Sequence, residues 1–535
     1  MSTLKRAPAR PAPEPPPSLG AGLGIDFGTT RTVVAWADRG NYPVVTFESE
    51  AGDSVEWFPS VVAERAGELR FGFEALAVAR DPSFTQARSF KRLLADAKAN
   101  GTVQLGSSEL FIGELVARFI EALATALRTT SNLPKAMRKQ ERFESVIATP
   151  ANAFCTQRFL TLEAFRRAGF DVKAMLNEPS AAGFEFSHRH ARTLNSKREH
   201  VIVYDLGGGT FDASLVRVSG KHHEVVTTAG LGEVGGDDFD RILADLALER
   251  LGLPWSALSE RARGSLLDGC REAKERLNSS SRKITLDLEA CLGDAAPQPE
   301  LALSATDYFD ACAPLVERTL EAMTPVVERG DDGAGAGGFG DVAGVYVVGG
   351  ASALPVVSRL LKARFGRRVF RSPYPHAAVA IGLAIASDGA AGFELDDRFS
   401  RNFGVFREAQ HGERAAYDPI FTREMTLPRP GQPPVAIERT YRPAHDIGHF
   451  RFFECAAFDS DGAPNGMLAP ITEVLFPFDP GLRHAGEDLL QRPVRRLDRE
   501  GPLTRERYAF DAQGMVHVTI TDLDSGFERT TVIGA

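Results

Sequence analysis

Residues 24–30, GIDFGTT, and residues 204–212, YDLGGGTFD, decide the fold of this chain. Each is an apolar run that reaches an aspartate, Asp26 or Asp205, steps to Gly28 or Gly207, and then offers hydroxyls from Thr29 and Thr30 or from Thr210. A glycine just after a strand lets backbone N–H groups approach a phosphate with no Cβ in the way, and the threonines add donors. The preceding carboxylate suits Mg²⁺, held directly or through its water shell, because that ion takes oxygen ligands and dehydrates reluctantly. One such stretch also reads as an ordinary turn. Two copies, 179 positions apart, imply two similar α/β halves that face one another and grip a polyphosphate from both sides.

Working outward, LGIDFGTTRTVVAWA reads as two strands joined by a turn, with PVVTFE and FPSVVAE continuing the alternation. Helical periodicity follows at 110–129, ESVIATP is a buried strand stopped by Pro150, and 154–168 is an amphipathic helix. The rhythm restarts at HVIVYDLGGGTFDASLVRV, with strands at HEVVTTAG and RKITLDL and helices near 237–250, 258–278, 306–329 and 375–388. A third glycine site, YVVGGASALP, takes an apolar strand into Gly349 and Gly350 and then a helix, suited to close approach of a flat or sugar-like group. GLGEVGGDDFD places Gly235 and Gly236 before a helix with acids in its first turn, which fits either a phosphate contact or a well-charged helix start. The glycine-rich run 329–341 reads as a surface loop.

Beyond about Asp396 the helical period ends. FTREMTLP, VAIERTY, HFRFFECAAF, RYAFDAQG and MVHVTITDL alternate and stop at Pro, Gly or Asp-Gly, which describes a separate all-β domain with an insertion at 477–502.

The chain has 535 residues, 43% hydrophobic and 25% charged, so two to four domains are expected. A net charge of −9 argues against a general nucleic-acid or lipid-surface binder. Five scattered cysteines with no C-x-x-C pair point to neither a disulfide framework nor zinc, and a cytoplasmic setting is the simplest reading. No stretch reaches the roughly 18–20 apolar residues of a membrane helix, and the proline-rich segment 1–20 reads as a disordered tail.

GIDFGTTRT, VYDLGGGTFDASLV, LNEPSAAG, VGGDDFD and VVGGASALP, in this order and spacing, resemble the 70-kilodalton heat-shock (DnaK-type) chaperones, members of the actin-like ATPase fold. The resemblance covers 22–388 and implies ATP or ADP with Mg²⁺ in a cleft between the halves. It implies that Asp26, Gly28, Thr29 and Thr30 face the phosphates and the metal's water shell, and that Gly207, Gly208, Gly209 and Thr210 wrap the β- and γ-phosphates. Asp205 and Asp212 would organise metal-bound and attacking water, with Asp26 and Asp205 holding Mg²⁺ mainly through water. Lys91, in ARSFKRLLA, would sit beside the γ-phosphate, where its charge counts most in the transition state. Glu178 and Pro179 match a supporting acid and its turn, and Pro150 a proline of interdomain signalling. Gly235, Gly236, Gly349 and Gly350 would bound the nucleotide, with Lys274 and Asn278, four apart on one helix face, reaching the adenosine. The chain departs from the pattern at Arg271, Glu275, Ala353 and His376, all at the base and ribose end.

The C-terminal part resembles the family's β-sandwich peptide-binding domain more faintly, through RNFGVF, YDPIFTREMTLP and the closing strands around DAQG. A domain of this kind holds extended peptide by backbone hydrogen bonds and an apolar pocket. Between the domains, 391–398 has Leu395 alone where the family uses a leucine-rich linker; EAQHGERAAY at the expected slot is polar; and no helical lid follows the last strand. The domain reading is therefore 21–390, the linker 391–398, and 399–535. The expected partners are unfolded or extended peptide or one dedicated client, with co-chaperones and exchange factors. The leading expectation is a slowly hydrolysing chaperone; the alternatives are a nucleotide-dependent scaffold and a small-molecule kinase of the same fold.

Overall fold

The computed structural model describes residues 22–534 apart from 50–51, 80, 96–97, 99, 195–197, 294–295, 331–341, 400, 410–412, 460–461 and 485. The expected N-terminal tail, most of the glycine-rich run and the tip of the polar loop at 410–412 lie outside the described residues.

The first glycine turn joins β1 (Leu23–Phe27) to β2 (Arg31–Trp36), which pair antiparallel. With β3 (Phe58–Pro59), β4 (Phe143–Thr149) and β5 (Phe170–Asn177) they form a sheet in the order β5-β4-β1-β2-β3, and β4 runs parallel to both β1 and β5. Leu23, Ile25 and Phe27 of β1 are buried, each worth roughly 1.5–3 kcal/mol of apolar burial. Helices α1 (Ile112–Thr129) and α2 (Cys155–Arg167) contact one another, and their buried Phe119, Leu123, Leu162 and Phe165 share a core cluster with Ile25 and Ile147 of the sheet. The third helix, α3 (Glu178–His190), leaves directly from the end of β5.

The second half repeats this plan. β6 (His200–Leu206) turns through Gly207–Thr210 into β7 (Phe211–Ser219) and on to β8 (His222–Leu231). After α4 (Gly236–Leu251), α5 (Glu260–Glu275), α6 (Ala305–Ala322) and α7 (Thr324–Gly330) come β9 (Val342–Val348), α8 (Pro355–Phe365), β10 (Val369–Arg371), α9 (Ala378–Ser387) and β11 (Glu394–Asp396). The sheet order is β10-β9-β6-β7-β8-β11, with β6 antiparallel to β7 and parallel to β9, as β1 stands to β2 and β4. The duplicated actin-like α/β architecture expected from the two glycine turns is present.

Between the sheets, α3 and α9 pack closely because the contact is built from small residues. A Cβ on Gly382 would lie 1.8 Å from the Ala181 carbonyl oxygen, and one on Gly24 would lie 2.2 Å from the Ala384 nitrogen. Val146, Ala148, Ala181, Val201, Val203 and Val379 form one apolar cluster from both halves.

The C-terminal region is two four-stranded sheets. One has the order β13-β12-β15-β16, from β12 (Asn402–Ala409), β13 (Arg414–Phe421), β15 (Ile447–Phe458) and β16 (Pro464–Pro477). The other has the order β14-β17-β18-β19, from β14 (Val435–Tyr441), β17 (Thr504–Phe510), β18 (Val516–Asp522) and β19 (Glu528–Val532). Phe403, Phe421, Phe452, Phe510 and Val518 fill the space between them.

Several expected elements differ. The helix expected over 306–329 breaks at Met323, because Pro325 supplies no N–H to continue it. In PVVTFE only Phe47–Glu48 is strand. FTREMTLP leaves β13 at Phe421 and turns, with the Met425 N–H donating to the Thr422 carbonyl at 2.9 Å, and then pairs with 397–399.

Candidate active site

The two glycine turns open from opposite sheets onto one cleft of about 430 Å³. In the second turn Asp205 and Asp212 are directly opposed across β6 and β7, and the Gly207 N–H donates to the Thr210 carbonyl at 3.0 Å. The third glycine site closes the floor. Gly349 sits at φ 83°, where a Cβ would lie 2.3 Å from the Leu206 carbonyl oxygen and 2.4 Å from an Asp205 carboxylate oxygen, so the turn that follows β9 can lie against the end of β6 only with glycine at this position.

Of the residues singled out in the sequence, Asp26, Gly28, Thr29, Thr30, Lys91, Glu178, Asp205, Gly207, Gly208, Thr210, Gly236, Lys274, Gly349 and Gly350 line this cleft. Gly209, Asp212 and Gly235 lie behind the lining. A Cβ on Gly235 would lie 2.6 Å from the Gly209 nitrogen. The Gly235 N–H donates to Asp238 at 2.8 Å, and the N–H groups of Gly236 and Asp237 donate to the Gly207 and Gly208 carbonyls at 2.9 Å. These glycines therefore seat the phosphate-type turn on the start of α4, with their own donors already engaged. Asn278 does not reach the cleft. Helix α5 stops at Glu275, and the Asn278 side chain accepts from Ser280 within its own turn at 2.6 and 2.9 Å.

Lys91, in the 3₁₀ turn Phe90–Leu94, is buried and donates to Glu178 at 2.9 Å, where α3 begins. Burial alone would lower the lysine's pKa. Glu178, then Asp26 and Asp212, more than offset that and hold the ammonium above its ordinary value. The acids are raised too, which in their case disfavours the charged form. Burial and then the Glu178 charge push Asp26 up to about 7 and Asp212 up to about 8, with Lys91 pulling down. Asp205 is raised well above its usual range by burial, then by Glu178 and Asp26. The cleft floor thus gathers four carboxyl groups around one ammonium, and with so little positive charge beside them three are held above their ordinary range.

Sequence reasoning missed the groups that join the halves across the cleft. Arg88 meets Asp268 at 2.8 Å, Ser89 donates to Asp237 at 2.6 Å, and Arg92 donates to the Gly209 carbonyl at 3.1 Å. At the far end Arg31 lies over the Trp57 ring at 4.2 Å and donates to Glu275 at 2.6 Å, while His376 meets Glu56 at 3.1 Å. Arg271 is held by Asp237 and Asp240, each at 3.1 Å, and Lys274 by Asp240 at 2.6 Å. Only the short spacing of Arg88, Ser89 and Arg92 around Lys91 signalled this in the sequence, and that pattern is also that of a solvated helix.

The C-terminal sheets dock on the first half. Glu454 accepts from the Cys155 N–H at 3.2 and 3.3 Å, at the start of α2, where the helix dipole favours an acid. Buried Arg158 donates to Thr149 at 2.9 Å, Asn177 at 3.3 Å and the Gln513 carbonyl at 3.1 Å. Asp397, next to β11, accepts from the Asn177 side chain at 2.8 Å, and β11 itself pairs parallel with β8.

Two lobes with duplicated sheets and paired glycine turns over an acid-lined cleft define an actin-like nucleotide-binding architecture. Residues 22–397 match the family model described as Hsp70 protein, and the chain belongs to that family. It is 35% identical over 388 residues to the chaperone protein HscA of Klebsiella pneumoniae strain 342, covering 70% of this chain and 59% of that one. The corresponding protein of Edwardsiella ictaluri is 36% identical over the same shares. The chaperone protein DnaK of Thermotoga petrophila is 28% identical over 543 residues, 96% of this chain and 80% of that one. The chain thus spans 59% of the length of the HscA proteins it matches.

Proposed function

We propose that this protein is a chaperone of the Hsp70 type that binds ATP with Mg²⁺, hydrolyses it slowly, and uses nucleotide state to bias a client-binding C-terminal β-region. The observation that carries the reading is the pair of glycine turns opening from opposite lobes onto a cleft that holds the buried Lys91–Glu178 pair. The names of the HscA and DnaK relatives support the chaperone class.

In this reading Thr29, Thr30, Gly207, Gly208 and Thr210 hold the β- and γ-phosphates by backbone and hydroxyl donors, with Gly209 shaping the turn behind them. Lys91, fixed by Glu178, stabilises charge that develops on the transferred phosphoryl group, where preorganised charge has most effect. Asp205 and Asp212 orient the attacking water and hold its proton. The donor set fits Mg²⁺. It is all oxygen, with buried carboxyl groups that a cation would help to ionise, and no three His, Cys, Asp or Glu side chains among the described residues converge enough to cage a bare ion. Asp26 and Asp205 would therefore hold it through its water shell. Bound there, the ion shields the phosphate charge that the attacking oxygen must approach.

Coupling to the client region runs through adjacent residues. Glu178 carries the Lys91 contact, and its neighbour Asn177 carries the Asp397 contact beside β11. A change at the γ-phosphate can thus alter how the β-region docks, provided the client interacts differently with the two states. Co-chaperones and exchange factors belong to the same proposal. A second reading, a nucleotide-dependent scaffold with weak or no hydrolysis, draws on the nucleoside end, where Arg31 and Glu275 bridge the lobes. Among the described residues no helix is long and apolar enough to cross a membrane.

Calorimetric titration with ATP and ADP, with and without Mg²⁺, followed by single-turnover hydrolysis, tests the reading. Asp205→Asn and Thr210→Val should abolish hydrolysis. Lys91→Ala should keep nucleotide affinity within about tenfold and lose turnover by about 10²–10³-fold, as for removal of one preorganised charge-stabilising donor. Unchanged turnover in Lys91→Ala removes the lysine's role, and no binding of either nucleotide removes the whole reading.

A further inference from the structure

A second cavity, about 820 Å³, opens in the β-region between β12, the end of β14 and the start of β15. One wall comes from the long connection between β16 and β17. The Leu497 N–H donates to the Ala444 carbonyl at 2.8 Å and the Asp446 N–H to the Arg495 carbonyl at 3.0 Å, which brings Arg496 to the cavity. Its lining holds five arginines, at 407, 439, 442, 451 and 496, against two carboxylates, Glu408 and Asp418.

The inner pair is fixed. Asp418 accepts from Arg407 at 2.7 Å and from Arg439 at 3.1 Å, and fully buried Glu506 accepts from Arg407 at 2.6 Å and from Tyr508 at 2.5 Å. The outer three are more exposed and only partly engaged, Arg442 by the Gly501 carbonyl at 2.8 Å and Arg451 by His449 at 3.0 Å. Arg442, Arg451 and Arg496 have side chains 43%, 55% and 52% exposed. They lie 3.3–3.7 Å from Glu500, Asp524, Glu473 and Glu408. Exposed pairs of that geometry are worth at most about 1 kcal/mol, whereas a carboxylate that meets a guanidinium through two parallel bonds does better. His445 and His449 face Glu408 at 3.4 Å and Glu473 at 2.6 Å, so the rim carries those acids as well.

We infer that this cavity takes an extended peptide segment rich in aspartate or glutamate in preference to an apolar one. An apolar side chain entering it strips water from Arg439 and its neighbours and returns no partner, a cost that apolar burial does not offset. An incoming carboxylate replaces that water with charge-assisted donors. The inference rests on the proposal that the β-region binds a client, and it names the chemistry of that client.

The test uses the full chain and three fluorescein-labelled heptapeptides, acidic, apolar and basic, followed by anisotropy at 50 and 300 mM NaCl. The acidic peptide should bind at least tenfold more tightly than the apolar one and weaken several-fold at the higher salt. The double variant Arg442→Glu, Arg496→Glu should lose at least tenfold for the acidic peptide and none for ATP. Arg451→Glu repeats the test should the double variant fail to fold. An apolar peptide that binds equally or more tightly overturns this inference alone, as does an unchanged double variant. Absence of binding by all three peptides, with ATP binding intact, overturns the client-binding proposal itself.

Discussion

Arg31 leaves the first glycine turn, lies on the face of Trp57 and ends on Glu275 of α5, so one side chain bridges the lobes at the nucleoside end of the cleft. The guanidinium–indole contact and a part-exposed ion pair are each worth roughly 0.5–1 kcal/mol, and together they slow opening by that sum. Arg31→Ala should therefore release ADP about fivefold to thirtyfold faster, read by stopped-flow with a fluorescent ADP analogue. Equal release rates would show that the bridge does not gate the cleft. At the other end Lys91 shows the same logic buried. Its ammonium stays charged in a dry floor only because Glu178, Asp26 and Asp212 surround it, so its role depends on groups 87, 65 and 121 positions away in the chain.

Among the elements, the two hairpins were legible because Gly28 and Gly207, two positions after Asp26 and Asp205, end an otherwise apolar run, a local signal that needs no partner to be read. The bridges over the cleft were not legible, since Arg88, Ser89 and Arg92 acquire their acids only once α4 and α5 are placed opposite them. Asn278 was assigned by helical spacing that continues in sequence past the residue where α5 ends. Leu395 looked too sparse for a docking linker, yet β11 docks by backbone pairing, with His223 opposite Leu395, which makes little demand on side-chain composition. His223 also supplies a pH dependence. It is fully buried against Phe184 and shares a 2.7 Å hydrogen bond with Ser187, and burial lowers its pKa to about 4 from an ordinary 6.5. Between those values the unfolded chain binds the proton more readily, so stability falls as pH falls through that window. From pH 7 to pH 5 the loss is about 2 kcal/mol. The drop in unfolding free energy over that range, read by urea titration at each pH, should be smaller by this amount in His223→Gln. Identical drops in the two proteins would place the acid sensitivity elsewhere.

For the whole molecule, the question is how firmly the β-region sits on the nucleotide-binding half. The contact is largely polar, with buried Met515 and Cys155 as apolar points within it. The Gln513 side chain donates to the Val172 carbonyl at 3.1 Å, Arg423 donates to the Thr228 carbonyl at 3.2 Å, and Glu454 meets the start of α2. Interfaces of this kind separate and re-form more easily than apolar ones, as the nucleotide-dependent docking proposed above requires. Glu454 is the most exposed to perturbation in energetic terms. It is buried, its pKa is raised by that burial, and its carboxylate satisfies a helix-start N–H and stands near Arg401. Removing it leaves a buried donor and a cation without their acid, a cost of about 1–3 kcal/mol borne by the docked arrangement alone. Glu454→Ala should therefore expose 391–398 to limited proteolysis several-fold faster and raise the radius of gyration in X-ray scattering, with ATP affinity unchanged. If cleavage rate and scattering both match the parent chain, docking is held by the Arg158, Asn177 and Asp397 contacts without Glu454. Asp397→Ala should then produce the same undocking, and it would also loosen the link from Lys91 to β11, separating mechanical docking from nucleotide sensing.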